Sequence, residues 1–336
     1  MSKILKKYIV PLIAIALIVS GLSACTSPSA EAIPFSIDPD KTLIVYSSHK
    51  ADVYTPIIRE FEKRTGITVE VHAGGTMQVL NEIKNGAEAD LMFGGGIELF
   101  QQYSDLIEPY VAKEQNQVES RYSSKEGKYT LFSDLPFVFV FNRKLVNEED
   151  APKRWNDFLS FKWIGKIAFA NPHNSGTSIT ILLSFMSLLD IGEKNAVNRF
   201  SNQLNGELLR SSGDVLPSIE TGSSLVGIAL EETALKWTQE HDDVGIIYPV
   251  DGTVSIPDGS FLIKDCAHRE NAEKFIDFTI SKDVQRLLVD KMYRRSVRTD
   301  VEPSVQTPEI NYADFDLGWA LRTEGEALSL WDTANQ

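Results

Sequence analysis

The feature that most constrains the fold is the alternation of strand and helix patterns between Thr42 and Gly96. Thr42-Leu43-Ile44-Val45-Tyr46 is β-branched and apolar, and predicts a buried strand. Ser47-Ser48-His49 opens a helix. Its apolar positions Val53, Ile57, Ile58 and Phe61 recur at helical spacing, and Thr65-Gly66 ends it. Residues 67–71 alternate as a second strand. Gly74-Gly75-Thr76 opens a helix that runs to about Lys84, and Asn85-Gly86 stops it. Asp90-Leu91-Met92-Phe93 is a third short strand, closed by Gly94-Gly95-Gly96. The order βαβαβ predicts an α/β sheet with helices on its faces.

A second α/β set starts near Trp155. Before it, residues 135–141 are apolar and β-prone. Ile167-Ala168-Phe169-Ala170 reads as a strand, Asn171-Pro172-His173-Asn174-Ser175-Gly176-Thr177 as a loop, and residues 179–189 as an apolar helix. Residues 226–230 and 245–249 give further strands, and residues 272–280 and 284–289 late helices.

The N-terminus predicts export. Lys3, Lys6 and Lys7 precede an apolar run over residues 8–19, shorter than the roughly 20 residues that span a bilayer. Leu22-Ser23-Ala24-Cys25 resembles a bacterial lipobox, so residues 1–24 are expected to be a cleaved signal peptide and Cys25 to carry a lipid. Residues 25–40 then serve as a flexible tether rich in Ser, Pro and Ala. The net charge is −14, and loss of the three leader lysines makes it about −17 by the same formal count. Such a chain is a poor partner for nucleic acid, whose phosphates need clustered Lys and Arg. A local site can still oppose the global charge and hold a small anion. Of the two cysteines, Cys266 is left unpaired once Cys25 is lipidated, so stability must come from core burial.

Three loops each follow a strand, are rich in Ser, Thr or Gly, and open a helix. They are Ser47-Ser48-His49, Gly74-Gly75-Thr76 and Asn174-Ser175-Gly176-Thr177. Helix N-termini carry unpaired N–H groups and the positive end of the helix dipole, which suits an anion. The same residues are ordinary N-caps. Three such loops in two α/β units point to a ligand cleft beyond the carboxyl ends of the strands. A fourth region pairs Asp214 in Ser211-Ser212-Gly213-Asp214 with Glu231, which directly follows a strand. These carboxylates could accept hydrogen bonds from a polyhydroxy ligand or sit as solvated charges. The histidines lack metal-binding spacing, and no nucleophile motif or Walker loop occurs, so no enzyme, cofactor or bound metal is expected.

Taken in order, these segments resemble the solute-binding proteins of ABC importers, in the group that contains the ferric-binding proteins. The markers are Val45-Tyr46-Ser47-Ser48-His49, Phe61-Glu62-Lys63-Arg64-Thr65-Gly66-Ile67, Ala89-Asp90-Leu91 and Trp163-Ile164-Gly165-Lys166-Ile167-Ala168. They continue with Asn171-Pro172-His173-Asn174-Ser175-Gly176-Thr177, Tyr248-Pro249-Val250-Asp251-Gly252-Thr253 and Asn271-Ala272-Glu273-Lys274-Phe275-Ile276-Asp277-Phe278. The resemblance implies a two-domain α/β periplasmic-binding fold of type 2, with two crossover strands and a ligand cleft between the domains. Domain 1 is expected over 41–137 and 257–336, and domain 2, with the crossover strands, over 138–256.

Ferric-binding relatives use a histidine after the first strand, an acidic residue after the third and a tyrosine pair in the second domain. His49 matches the first. Gly94-Gly95-Gly96 and Ala229-Leu230-Glu231-Glu232-Thr233 do not match the others, which disfavours iron. Tyr293-Arg294-Arg295-Ser296-Val297-Arg298, Gly213-Asp214 and Glu231 are in keeping with relatives that bind sugar phosphates or organophosphonates. That resemblance implies a ligand site made by Ser47, Ser48, His49, Gly75, Thr76, Gly95, Asn174, Ser175, Gly176, Thr177, Asp214 and Glu231. It also implies an ABC permease as partner, a monomer, and a lipid anchor on the outer face of the cytoplasmic membrane or a place in the periplasm. Ferric-iron transport and a sensory or adhesive surface role are the rival expectations.

Overall fold

The βαβαβ opening is present in the computed structural model, which describes residues 39–96, 103–124, 126–304 and 307–336. The leader, Cys25 and most of the tether lie outside the described residues. Strand β1 (Thr42–Ser47) leads into α1 (Ala51–Thr65), β2 (Thr68–Ala73), α2 (Thr76–Lys84) and β3 (Leu91–Phe93). β1 pairs in parallel with both β2 and β3. Helix α1 buries Val53, Ile57, Ile58 and Phe61, the four positions at helical spacing. Gly66 closes it at φ 68°, a left-handed conformation that suits glycine, with its N–H on the Glu62 carbonyl at 2.8 Å. Asp90 differs from expectation in being the clasp before β3 rather than part of it. Its buried carboxylate accepts the Ile44 N–H at 2.7 Å and the His268 N–H at 2.9 Å.

β4 (Ile107–Glu108) precedes the long strand β5 (Thr130–Asn142), buried along its whole length. The apolar pattern alone starts this strand at Leu135, because Ser133 and Asp134 interrupt it. Both are fully buried and each finds a distant partner: Ser133 Oγ accepts from Arg294 Nη1 at 3.0 Å, and Asp134 Oδ2 accepts from the Tyr312 hydroxyl at 2.6 Å. After β6 (Ile167–Ala168), β7 (Val226–Leu230) and β8 (Val244–Ile247), β9 (Ser255–Ile263) completes the set. The first half of β5 pairs with β9, and the second half with β7 and β8. The strand order is β2-β1-β3-β9-β5-β7-β6, with β4 on β9 and β8 on β5. β5 therefore belongs to two strand groups, one per lobe, and the chain changes lobe where β5 meets the start of β9.

Each lobe has its own core. One gathers Phe61, Phe93, Phe132 and Phe275, the other Trp155, Phe158, Phe185 and Phe200. The second lobe carries α3 (Gly176–Leu188), α4 (Glu193–Leu204), α5 (Val215–Thr221) and α6 (Glu231–Trp237). Helices α7 (Arg269–Thr279) and α8 (Lys282–Met292) pack in the core of the first lobe. The last helix, α9 (Leu317–Ala334), departs from the expected 257–336 assignment. Its Ala320, Ala327 and Trp331 enter the second core, with the Trp331 ring 5.7 Å from that of Phe169. The chain is steered there at the crossover, where the Thr253 N–H reaches the Asn311 carbonyl and the Ala313 N–H reaches the Thr253 carbonyl, each at 2.9 Å.

Candidate ligand-binding site

A cavity of about 1060 Å³ lies between the two lobes. The first lobe contributes Ser48 and His49 after β1, Gly95 and Gly96 after β3, and Thr76 at the start of α2. The crossover strand β9 contributes Asp258, and the turn after α8 contributes Arg294. The second lobe supplies Gly176 and Thr177 from the first turn of α3, and one face of α9. The cavity thus sits beyond the carboxyl ends of β1 and β3, where open α/β sheets place ligands.

The floor is a buried charged group. Arg294 and Asp258 are each about 5% exposed. Arg294 Nη1 donates to Asp258 Oδ2 at 2.7 Å and to Ser133 Oγ at 3.0 Å, and the Gly95 N–H reaches Asp258 Oδ1 at 3.2 Å. Arg294 Nε has no hydrogen-bond partner among the described residues. His49 Nε2 lies 3.3 Å from Asp258 Oδ2 but is out of line for a hydrogen bond. The imidazole is packed edge-on to Phe93 and Phe132, with centroids 4.9 and 5.7 Å away. Gly94 makes this packing possible: at φ 111° it tolerates a backbone that other residues avoid, and a Cβ there would sit 2.6 Å from Ser48 Oγ and 3.0 Å from His49 Nε2.

Burial lowers the pKa of His49 below its ordinary value; the Asp258 carboxylate opposes that shift and the Arg294 guanidinium adds to it. The charges of Glu232 and Asp52 also favour its protonation, but more weakly. His49 is thus held neutral where an unfolded chain would take up a proton. Stability is therefore lost as pH falls through about 6.5, down to the depressed folded value, because the unfolded chain then binds the extra proton. We expect His49→Gln to flatten this part of the stability profile, read as urea midpoints at about pH 7.5, 6.5 and 5.5. An unchanged slope would assign the loss to other groups.

The upper side of the cavity is built from helix N-termini. The first N–H groups of a helix have no intrahelical partner. In α3 the Ser175 hydroxyl takes only the Ser178 N–H, at 3.2 Å, while Gly176 and Thr177 face the cavity. In α2 no side chain caps the first turn, and Thr76 faces the cavity. Of the residues singled out in the sequence, Ser48, His49, Thr76, Gly95, Gly176 and Thr177 line this one space.

The remaining expected residues hold other positions. Ser47 is fully buried; its hydroxyl donates to the Phe93 carbonyl at 2.9 Å and accepts the His49 N–H at 3.2 Å, so it braces the loop. Gly75 and Ser175 are the N-caps of α2 and α3, and Asn174 is exposed in the turn before α3. Asp214 accepts from the Ser211 N–H and hydroxyl, both at 3.0 Å, within a capping box. Glu231 is 1% exposed and forms a two-pronged pair with Arg295, both bonds 2.8 Å. That pair ties the second lobe to the first. Neither carboxylate lines the cavity.

Sequence reading missed Asp258, Arg294 and the α9 wall. Arg294 stood in a flagged basic run, but no local pattern separates it from Arg295 and Arg298. Only the partners differ: Asp258 in the cleft for Arg294, Glu231 for Arg295, and Asp300 for Arg298.

Comparison with known proteins agrees with this architecture. A Salmonella typhimurium periplasmic protein, provisionally named for binding 2-aminoethylphosphonate, is 23% identical over 255 residues, covering 73% of this chain and 74% of that one. The ferric binding protein from Campylobacter jejuni superposes with a TM-score of 0.77 at 18% identity, covering 87% of this chain and 99% of that one. The periplasmic binding protein AfuA from Actinobacillus pleuropneumoniae, solved with fructose-6-phosphate, superposes with a TM-score of 0.73 at 22% identity, covering 87% and 97%. The fold is therefore the expected two-domain periplasmic-binding fold of type 2. Residues 85–320 match the family described as bacterial extracellular solute-binding protein. With the interlobe cavity and these matches together, the chain belongs to the bacterial extracellular solute-binding proteins, a family of ABC-importer receptors.

Proposed function

We propose that this protein captures a small organic phosphate or phosphonate, such as a sugar phosphate or an aminoalkylphosphonate, and presents it to an ABC permease. In this reading a lipid on Cys25 keeps the receptor on the outer face of the cytoplasmic membrane. The observation that carries the proposal is the convergence on one cavity of two helix N-termini and a buried arginine, in a chain whose net charge is −14. Such a concentration of donors opposes the global charge locally and matches a dianionic head group. The names of the Salmonella and Actinobacillus proteins support the same ligand class.

Ferric iron is the second reading. It is favoured by His49 and Asp258 standing side by side in the cleft. Thermal unfolding separates the two. A ligand that binds only the folded state at a thousand times its Kd adds about 4 kcal/mol of stability. Hexose phosphates or 2-aminoethylphosphonate are expected to raise Tm clearly, and native mass spectrometry of the purified protein is expected to find a bound phosphorus compound. No shift with any of them, together with a coloured ferric complex, would overturn the phosphate reading.

A further inference from the structure

The cleft has a second, chemically different wall. Leu317, Leu321, Gly325 and Leu328 of α9 recur at i, i+4, i+8 and i+11, so they share one helix face, and all four line the cavity. A neighbouring face packs into the core with Thr323, Ala327 and Trp331, while Ala320 and Leu328 border both the core and the cavity. Leu317 and Leu321 thus face the cavity, while Ala327 takes a core position that a leucine more often fills. The three leucines are only half-buried, so they present apolar surface to the cavity. The buried Leu183 of α3 borders the same space.

Gly325 adds an independent sign. Glycine is the poorest helix former after proline. At 325 no packing demand explains it, since a Cβ would meet nothing within 4 Å among the described residues. A glycine facing empty space on a cavity wall lets a bound molecule lie close to the helix backbone. The wall is continuous with the anion end, since one cavity holds His49, Arg294 and Gly176 together with these leucines. Its volume reaches the upper end of the range that holds drug-sized ligands, about 300–1,000 Å³. A bare phosphate would leave the leucine wall uncovered. Arg322 and Glu324, both exposed, stand at the edge of the wall and could meet polar atoms of a larger ligand.

We infer that the solute is two-ended: its anionic head sits at Arg294 and the first turn of α3, and an apolar or aromatic part of the same molecule packs on the Leu317–Leu321–Leu328 face of α9 over Gly325. The inference rests on the phosphate reading above and narrows it to esters or phosphonates whose organic part has an apolar face.

Calorimetric titration with inorganic phosphate and phenyl phosphate tests it. Phenyl phosphate is expected to bind at least tenfold more tightly than inorganic phosphate. Leu321→Asn and Gly325→Leu are expected to erase most of that gain and to leave inorganic phosphate within about twofold of wild type, which also shows that the variants fold. Equal affinity for the two probes overturns the inference and leaves the phosphate reading standing. Equal weakening of both probes by Leu321→Asn also overturns it, because the leucines would then serve lobe closure alone. No binding of either probe overturns the inference, and the phosphate reading falls with it only if hexose phosphates and 2-aminoethylphosphonate also leave Tm unchanged.

Discussion

Gly176→Asp is expected to abolish phosphate capture without weakening the fold. Gly176 is the first residue of α3, it is exposed, and a Cβ there would meet no atom within 4 Å. An aspartate in the first helical turn interacts favourably with the helix dipole, by about 0.3–1 kcal/mol. The unliganded variant should therefore unfold at the same or a slightly higher temperature. Binding should respond in the opposite direction. A carboxylate about 4 Å from a bound anion costs on the order of 4 kcal/mol at an effective dielectric constant of 20, close to a thousandfold in affinity. Gly176→Asn provides the neutral control and is expected to lose far less. Calorimetric titration with a hexose phosphate reads the effect, alongside thermal unfolding of the free protein. Wild-type affinity in the aspartate variant would show that the anion does not sit at α3.

The second large effect is expected at Arg294. Removing its guanidinium leaves the Asp258 carboxylate buried, with the Gly95 N–H as its remaining hydrogen bond. Breaking a buried pair from one side costs about 3–5 kcal/mol, because the orphaned charge stays in the interior. Arg294→Met should lower the unfolding free energy by that amount, read as a lower urea midpoint at unchanged slope, and also lose anion binding by a hundredfold or more. The double variant Arg294→Met with Asp258→Asn removes both charges. It is expected to recover most of the stability and none of the binding. That separation distinguishes a ligand role from a structural one. If the double variant binds phosphate as wild type does, Arg294 serves only the fold.

Much of the first lobe was legible because its signals are local. The four buried positions of α1 stand at helical spacing, and Gly66 closes the helix at a left-handed φ. The start of β5 was hidden for a physical reason. Ser133 and Asp134 look like loop residues until Arg294 and Tyr312 supply their hydrogen bonds, and those partners lie 161 and 178 positions away in the chain. Helix α9 was obscured in a similar way. Its apolar residues are divided between a core face and a cavity face, and Gly318 and Gly325 interrupt the helical signal. The family resemblance implied that the C-terminus rejoins the first lobe, whereas Ala320, Ala327 and Trp331 of α9 fit the second core.

The site divides along the same line. The sequence by itself determined which loops could offer N–H and hydroxyl donors, because the order strand, small polar loop, helix is written in adjacent residues. Ser48, Thr76, Gly176 and Thr177 were identified that way and meet in one cavity. Only the tertiary structure decided that Asp214 and Glu231 are occupied elsewhere, and that Arg294, Asp258 and the leucines of α9 join the cleft. Those assignments depend on which partner each group meets once β5 and β9 cross between the lobes. A lone carboxylate or guanidinium has the same local signature whether it ends in an ion pair or on a ligand. Its role is set by desolvation and by the charge brought beside it, and both come into being only when the chain closes on itself.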